Sequence, residues 1–221
     1  TGGSAAVAST FNTTLYTGTG ATNSINNGVD LSTDGGLVWI KSRNANNTSY
    51  HYLYDTERGV NATIASNGTG GQSTPANSLT AFNTTGFTLG SSDASNSSVD
   101  NFVAWTFKEQ TKFFDIVTYT GDGDFTGRTI SHSLGSVPGM ILIKKTSGSA
   151  NWIVYHRSQG ATKLLELDNN SVSNTYNMFN DTDPTSTEFY VSGNSKVNES
   201  GSTYVAYLFA HDTASDGLIQ C

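Results

Sequence analysis

Cysteine is all but absent from this chain, the one thiol being Cys221 at the last position. Intramolecular disulfides are therefore excluded, and Cys-x-x-Cys metal and redox sites with them. Basic residues are also few: 11 Lys and Arg stand against 18 Asp and Glu, a formal net charge of -7 with a pI near 4.8. A phosphate backbone would be repelled and no Lys/Arg stripe counters that average, so nucleic acid is not an expected partner. No run of about 18 apolar residues offers a membrane span. Residues 1–10 are small and polar, without the charged start and apolar stretch of a signal peptide. The chain reads as a piece processed or excised from something longer. No heptad or collagen-like segment dictates an oligomeric state.

What fills the chain instead is Ser, Thr, Asn and Gly around 11 Phe, 10 Tyr and 3 Trp. Aromatic rings bury large areas per residue, so a packed core is expected despite the polar background. With only 13% charged residues, the surface must consist mainly of neutral hydroxyls and amides, a composition suited to short strands and many turns.

A fixed offset recurs along the sequence. Tyr16-Thr17-Gly18-Thr19-Gly20 returns as Tyr119-Thr120-Gly121-Asp122-Gly123, and Gly36-Leu37-Val38-Trp39-Ile40-Lys41 as Gly139-Met140-Ile141-Leu142-Ile143-Lys144. Tyr54 and Gly59 answer to Tyr155 and Gly160, Phe82-Asn83 to Phe179-Asn180, and Phe102-Val103-Ala104-Trp105-Thr106-Phe107 to Tyr204-Val205-Ala206-Tyr207-Leu208-Phe209. Ile219-Gln220-Cys221 falls where Ile116-Val117-Thr118 opens the second copy. The expected organisation is a first module over 1–110, a second over 111–216 and the start of a third, truncated copy over 217–221.

Within the first copy, alternating apolar segments bounded by Gly, Asn, Asp and Ser predict strands at 14–17, 24–29, 37–42, 50–54, 61–66, 78–82, 86–89 and 101–108. Helix signals are almost absent. Evenly spaced short strands point to an all-β fold of two tandem antiparallel, jelly-roll-like β-sandwiches; one merged sandwich built from both copies is the competing architecture. Tyr50, Tyr52 and Tyr54 share one strand face, where cross-strand packing is favoured over a ligand platform.

Enzymatic constellations are missing. His51, His132, His156 and His211 show no zinc-site spacing, and there is no nucleophile elbow or Walker loop. The carboxylate pairs Asp55/Glu57, Asp122/Asp124, Glu166/Asp168 and Asp181/Asp183 carry no mark of a glycosidase. No cofactor is expected, and calcium is the one ion that oxygen-rich turns such as Asp122 and Asp124 could take, with plain turn chemistry the stronger reading. Trp152, Tyr155, His156 and Arg157 mix ring faces with hydrogen-bond donors, the chemistry that grips sugars. Strand alternation sets Trp152 opposite Tyr155, which favours a structural role for most of them. Asn-x-Ser/Thr sequons occur at Asn12, Asn46, Asn47, Asn61, Asn67, Asn83, Asn96, Asn169, Asn180 and Asn198, most of them an outcome of composition.

The segments Gly36 to Lys41, Tyr54-Asp55-Thr56-Glu57-Arg58-Gly59, Phe113 to Gly121, Ser136 to Ile141, Trp152 to Arg157 and Ala206 to Asp212 resemble a repeat module of large virion proteins of marine tailed phages, notably cyanophages. The resemblance covers nearly the whole chain. It implies a tail-fibre-like or virion-surface component, arrayed with other subunits or further copies of itself, with adhesion to a host glycan or surface receptor as its task; it supplies no catalytic or binding residues. The readings weighed against it are a cellular extracellular adhesion or filament protein with glycosylated sequons, and a polysaccharide depolymerase.

Overall fold

The computed structural model describes residues 3–44, 50–171, 173–214 and 217–221. Sequons Asn46 and Asn47 lie outside the described residues. The chain forms two compact units, one of Thr1–Ser66 with Gln72–Glu109, the other of Asn67–Gly71 with Gln110–Cys221.

In the first unit a short helix α1 (Gly3–Thr10) leads into β1 (Phe11–Thr17), followed by β2 (Asn23–Asn26), β3 (Gly36–Ser42), β4 (Tyr52–Asp55), β5 (Ile64–Ala65), β6 (Leu79–Asn83), β7 (Gly86–Leu89), a single helical turn α2 (Asp93–Asn96) and β8 (Asn101–Lys108). Two antiparallel sheets result, β1-β8-β3-β4-β5 and β2-β7-β6. The second unit contains β9 (Phe114–Thr120), β10 (Arg128–Ser131), β11 (Pro138–Lys145), β12 (Ile153–His156), β13 (Lys163–Glu166), β14 (Asn174–Thr175), β15 (Glu188–Val191), α3 (Ser195–Asn198) and β16 (Thr203–Ala210). Its sheets are β14-β13-β12-β11-β16-β9 and β10-β15. The fold is antiparallel all-β throughout, and the first and last strands of each unit pair with each other beside the third.

Alternation decides the cores. In the first unit Val38, Ile40, Phe102 and Ala104 from the larger sheet meet Ile25, Leu79, Phe87 and Leu89 from the smaller; in the second, Ile141, Ile143, Tyr204 and Ala206 meet Ile130, Phe189 and Val191. This is the face-to-face packing of a β-sandwich, in which every second residue of a strand points inward. Tyr54 is fully buried and its hydroxyl pairs with Ser78 Oγ at 2.7 Å. Tyr52 packs beside it at the margin of the same cluster, while Tyr50 lies outside β4 and is 53% exposed. Packing, not ligand binding, occupies the inner two rings.

The Tyr-Thr-Gly-x-Gly motif has a geometric cause. Tyr16 stacks on Phe102 across the β1–β8 pair and donates to Ser95 O at 2.6 Å; Tyr119 stacks on Tyr204 and donates to Val197 O at 2.8 Å. Burial pushes both phenols well above their usual range. The glycine two residues on then runs against the chain leaving the short helix. A Cβ on Gly18 would stand 2.0 Å from Ser97 O, and one on Gly121 2.3 Å from Glu199 O. Only a residue without a side chain permits that approach.

Residues 217–221 form no strand. Ile219 packs against the second core, Asp212 N donates to Ile219 O at 2.9 Å, and Cys221 N donates to His211 Nδ1 at 3.1 Å.

Candidate functional site

Trp152 and Tyr155 are 0% and 3% exposed. Trp152 stacks on Tyr207, and its backbone N–H is held by Asp168 Oδ1 at 2.8 Å. Tyr155 belongs to the opposite face of β12, edge-on to Phe179, with its hydroxyl 3.3 Å from Asp183 Oδ1. Burial, with the Asp183 carboxylate beside it, pushes that phenol up. Neither ring offers a face to a sugar: alternation along the chain entering β12 sends the two rings into separate packing layers. His156 ends β12 and Arg157 starts the following turn. His156 Nδ1 pairs with Ser158 Oγ at 2.8 Å, and exposed Arg157 donates its backbone N–H to Gly139 O at 2.9 Å.

Asp122 and Asp124 are turn residues. Asp122 Oδ1 accepts from Asp124 N at 2.9 Å and from Asn198 Nδ2 at 2.9 Å; Asp124 Oδ1 accepts from Thr126 N and Oγ1, both at 2.8 Å. The Asp124 N–H, more than any other group, holds the Asp122 carboxyl below the usual range. Each Oδ1 accepts from the backbone N–H two residues on, the Asx-turn arrangement, and from one side-chain donor besides. Among the described residues no group of three or more His, Cys, Asp and Glu is gathered to hold a metal ion.

Other carboxylates are similarly engaged. Asp55 and Arg58 form a buried pair at 2.6 Å, with side-chain exposures of 0% and 4%, and Glu166 meets Lys196 at 2.7 Å. The sequons divide. Asn96 and Asn198 are fully buried and cannot receive a glycan in the folded unit, whereas Asn67 and Asn169 are exposed. Asn96 accepts from Thr19 N and Asn23 Nδ2, both at 3.0 Å, and donates to Ala21 O at 2.6 Å and Gly90 O at 2.7 Å.

The concave feature that sequence reasoning missed lies at one end of the first unit. An open depression of about 630 Å³ is bounded by the loop 31–35 before β3, the turn 56–60 after β4, residues 80–82 of β6, and Glu109 at the end of β8. Leu31, Val60 and Phe82 give it an apolar lining; Asp34, Glu57 and Glu109 bring three carboxylates to it. The loop is built by Asp30, whose Oδ1 accepts from Ser32 N at 3.1 Å and Thr33 N at 3.0 Å. The Thr33 N–H is the main reason its carboxyl lies below the usual range. Gly35, at φ +82°, reverses the chain toward β3; a Cβ there would stand 2.6 Å from Glu109 Oε1 and 3.1 Å from Thr56 Oγ1. Thr56 Oγ1 donates to Glu109 Oε1 at 3.4 Å and accepts from Gly36 N at 2.9 Å. Asp34 meets Lys108 at 2.7 Å. The arrangement can bind an amphipathic group: an apolar body on the floor and a polar or cationic head at the rim. No local motif announces it, because its walls come from four separated segments.

Residues 7–214 match the model of a family described as a domain of unknown function, DUF7483, and the chain belongs to that family. No curated protein sequence and no solved structure matches the chain.

Proposed function

We propose that this DUF7483 chain is a non-catalytic structural module of a virion surface or tail fibre, made of two copies of one sandwich, that supports adhesion to a host surface. The observation that carries the reading is the corner recurring in both units, in which a strand-end tyrosine donates to the turn of a short helix and a glycine docks on the chain leaving it. Two units built to one plan suit a rigid spacer, and neutral amides and hydroxyls suit a particle surface where many weak contacts combine into avidity. The engagement of Asp55, Glu166 and Asp168 in packing and ion pairs supports a role other than catalysis.

Immunogold electron microscopy of the source particle, with antibody raised against this chain, tests the reading. Label on a fibre or on the capsid exterior is the expected result. Label confined to a cell envelope, together with glycan mass on the native protein, would replace it with the cellular adhesion reading. Release of reducing ends from host capsule, abolished in Glu57→Gln or Glu109→Gln, would overturn the non-catalytic assignment.

A further inference from the structure

Both units close the corner after their second strand with the same backbone device, built from different side chains. In the first, Asn27 follows β2: its N–H donates to Thr85 O at 2.8 Å, just ahead of β7, and its Oδ1 accepts from Val29 N at 3.1 Å. In the second, His132 follows β10: its N–H donates to Thr187 O at 2.8 Å, just ahead of β15, and its ring Nδ1 accepts from Leu134 N at 3.3 Å. Val29 and Leu134 are both 0% exposed and belong to the cores of their units. The side chain two residues earlier therefore satisfies the N–H of a core residue. An amide oxygen does this at any pH, whereas an imidazole nitrogen does it only while it carries no proton.

Because Nδ1 accepts, the ring proton resides on Nε2, which donates to Thr185 O at 3.3 Å. The residue is 9% exposed and its ring stacks on Phe189. The charged groups that face it are Asp115 of β9, whose Oδ2 accepts from Ser133 N at 2.7 Å, and Glu188 of β15. Lys112 meets the corner through its backbone N–H, which donates to Leu134 O at 2.7 Å. Burial holds the imidazole below its usual range, against the opposing pull of the Thr185 carbonyl and the two carboxylates.

We propose that His132 is an acid-sensitive latch built into the second unit: a proton on Nδ1 sets two N–H donors against each other, the Leu134 peptide turns away, and the corner 132–134 loosens from the turn 185–188 and from the core. The unfolded chain takes up this proton at a higher pH than the folded one, so the latch adds stability above the ordinary histidine range and loses it as pH falls below that range. At the matching corner of the first unit Asn27 has no such step. Mild acid thus loosens the two units unequally, from one substitution in an otherwise shared corner. The inference is independent of the virion reading.

The test uses the whole chain, isotopically labelled, beside His132→Asn, which installs the first unit's own acceptor. In the unaltered chain at about pH 7.5, the ring nitrogens of His132 should report a proton on Nε2 and none on Nδ1. The ring should titrate below the ordinary value of about 6.5, with the Leu134 amide signal moving at the same midpoint. Between about pH 7.5 and about pH 5, the unfolding constant of the second unit, read in urea from the amide signals of Leu134 and Phe189, should rise at least about twofold more in the unaltered chain than in His132→Asn. His156→Asn replaces a ring whose Nδ1 accepts from Ser158 N at 3.2 Å in an exposed turn, and should leave that rise as it is. An equal rise in His132→Asn, a His132 ring titrating at or above about 6.5, or a Leu134 amide signal indifferent to the titration would overturn the proposal. The ring titration is read on the unaltered chain and decides the matter whatever the stability of the variant.

Discussion

Replacing Asn96 with alanine should destabilise the first unit by about 2–5 kcal/mol. The magnitude follows from what its amide touches. The Gly90 carbonyl is buried and receives Asn96 Nδ2 at 2.7 Å; stripped of that donor it has no access to water, a loss of about 1–3 kcal/mol. The Thr19 N–H and the Ala21 carbonyl belong to exposed residues, so water takes over there and the net loss is about 0.5–1 kcal/mol for each bond. Asn198→Ala in the second unit should cost less, about 1–2 kcal/mol, because its amide bonds to exposed Asp122, which water can serve. Urea unfolding followed by tryptophan fluorescence resolves the two, as Trp39 and Trp105 report on the first unit and Trp152 on the second. Asn96→Ala should lower the midpoint of the Trp39/Trp105 transition. A cost under about 0.5 kcal/mol, or a larger cost for Asn198→Ala, would refute the account of the corner as one buried carbonyl and two outer backbone groups satisfied by one amide.

The same corner predicts that Gly18→Ala costs about 2–3 kcal/mol by overpacking against Ser97 O; Gly28→Ala, at φ +82° but with nothing within 4 Å, should cost only about 1 kcal/mol, and equal denaturation midpoints for the two variants would contradict this. Arg58→Ala leaves Asp55 buried without the guanidinium and should cost about 3–5 kcal/mol, read from the same first-unit transition; a loss below 1 kcal/mol would mean that water reaches the pair. Lys144 is buried with its amine on Thr69 O at 2.8 Å and Ala150 O at 2.6 Å, and burial pulls it down from 10.5 to about 8, against the opposing pull of Asp168. The unfolded chain therefore keeps a proton that the folded chain has released between those values, so this residue adds stability as pH rises from about 8 and adds least below it. Above roughly pH 10 the buried Tyr16 and Tyr119, raised by burial, act in the opposite direction as unfolded tyrosines ionise. Urea midpoints at pH 7.5, 8.5 and 9.5 should climb by under about 1 kcal/mol per unit, and Lys144→Met should flatten the climb; an unchanged slope would refute the assignment.

Strand positions were legible in the sequence because a half-buried strand must alternate: Gly36–Ser42 and Asn101–Lys108 fall where apolar alternation bounded by Gly and Asn placed them, to within a residue. The tyrosine-glycine motif was also legible as a recurrence. Its cause was not, since the carbonyls that forbid a Cβ on Gly18 and Gly121 belong to segments far along the chain. The short helices α2 and α3 escaped for a related reason: each is one turn long, too short for helical periodicity to register.

By itself the sequence determined the fold class, the approximate strand positions in the first unit and the exclusion of an intramolecular disulfide, all of which rest on local alternation and on residue types present or missing. Tertiary structure alone decided which polar and aromatic residues are buried and which are available. Sequons Asn96 and Asn198 became interior hydrogen-bonding groups, and Leu31, Glu57, Phe82 and Glu109 came together around one depression. Burial is a property of what lies on the far side of a residue, and in an antiparallel sandwich that neighbour is supplied by chain segments tens of residues away.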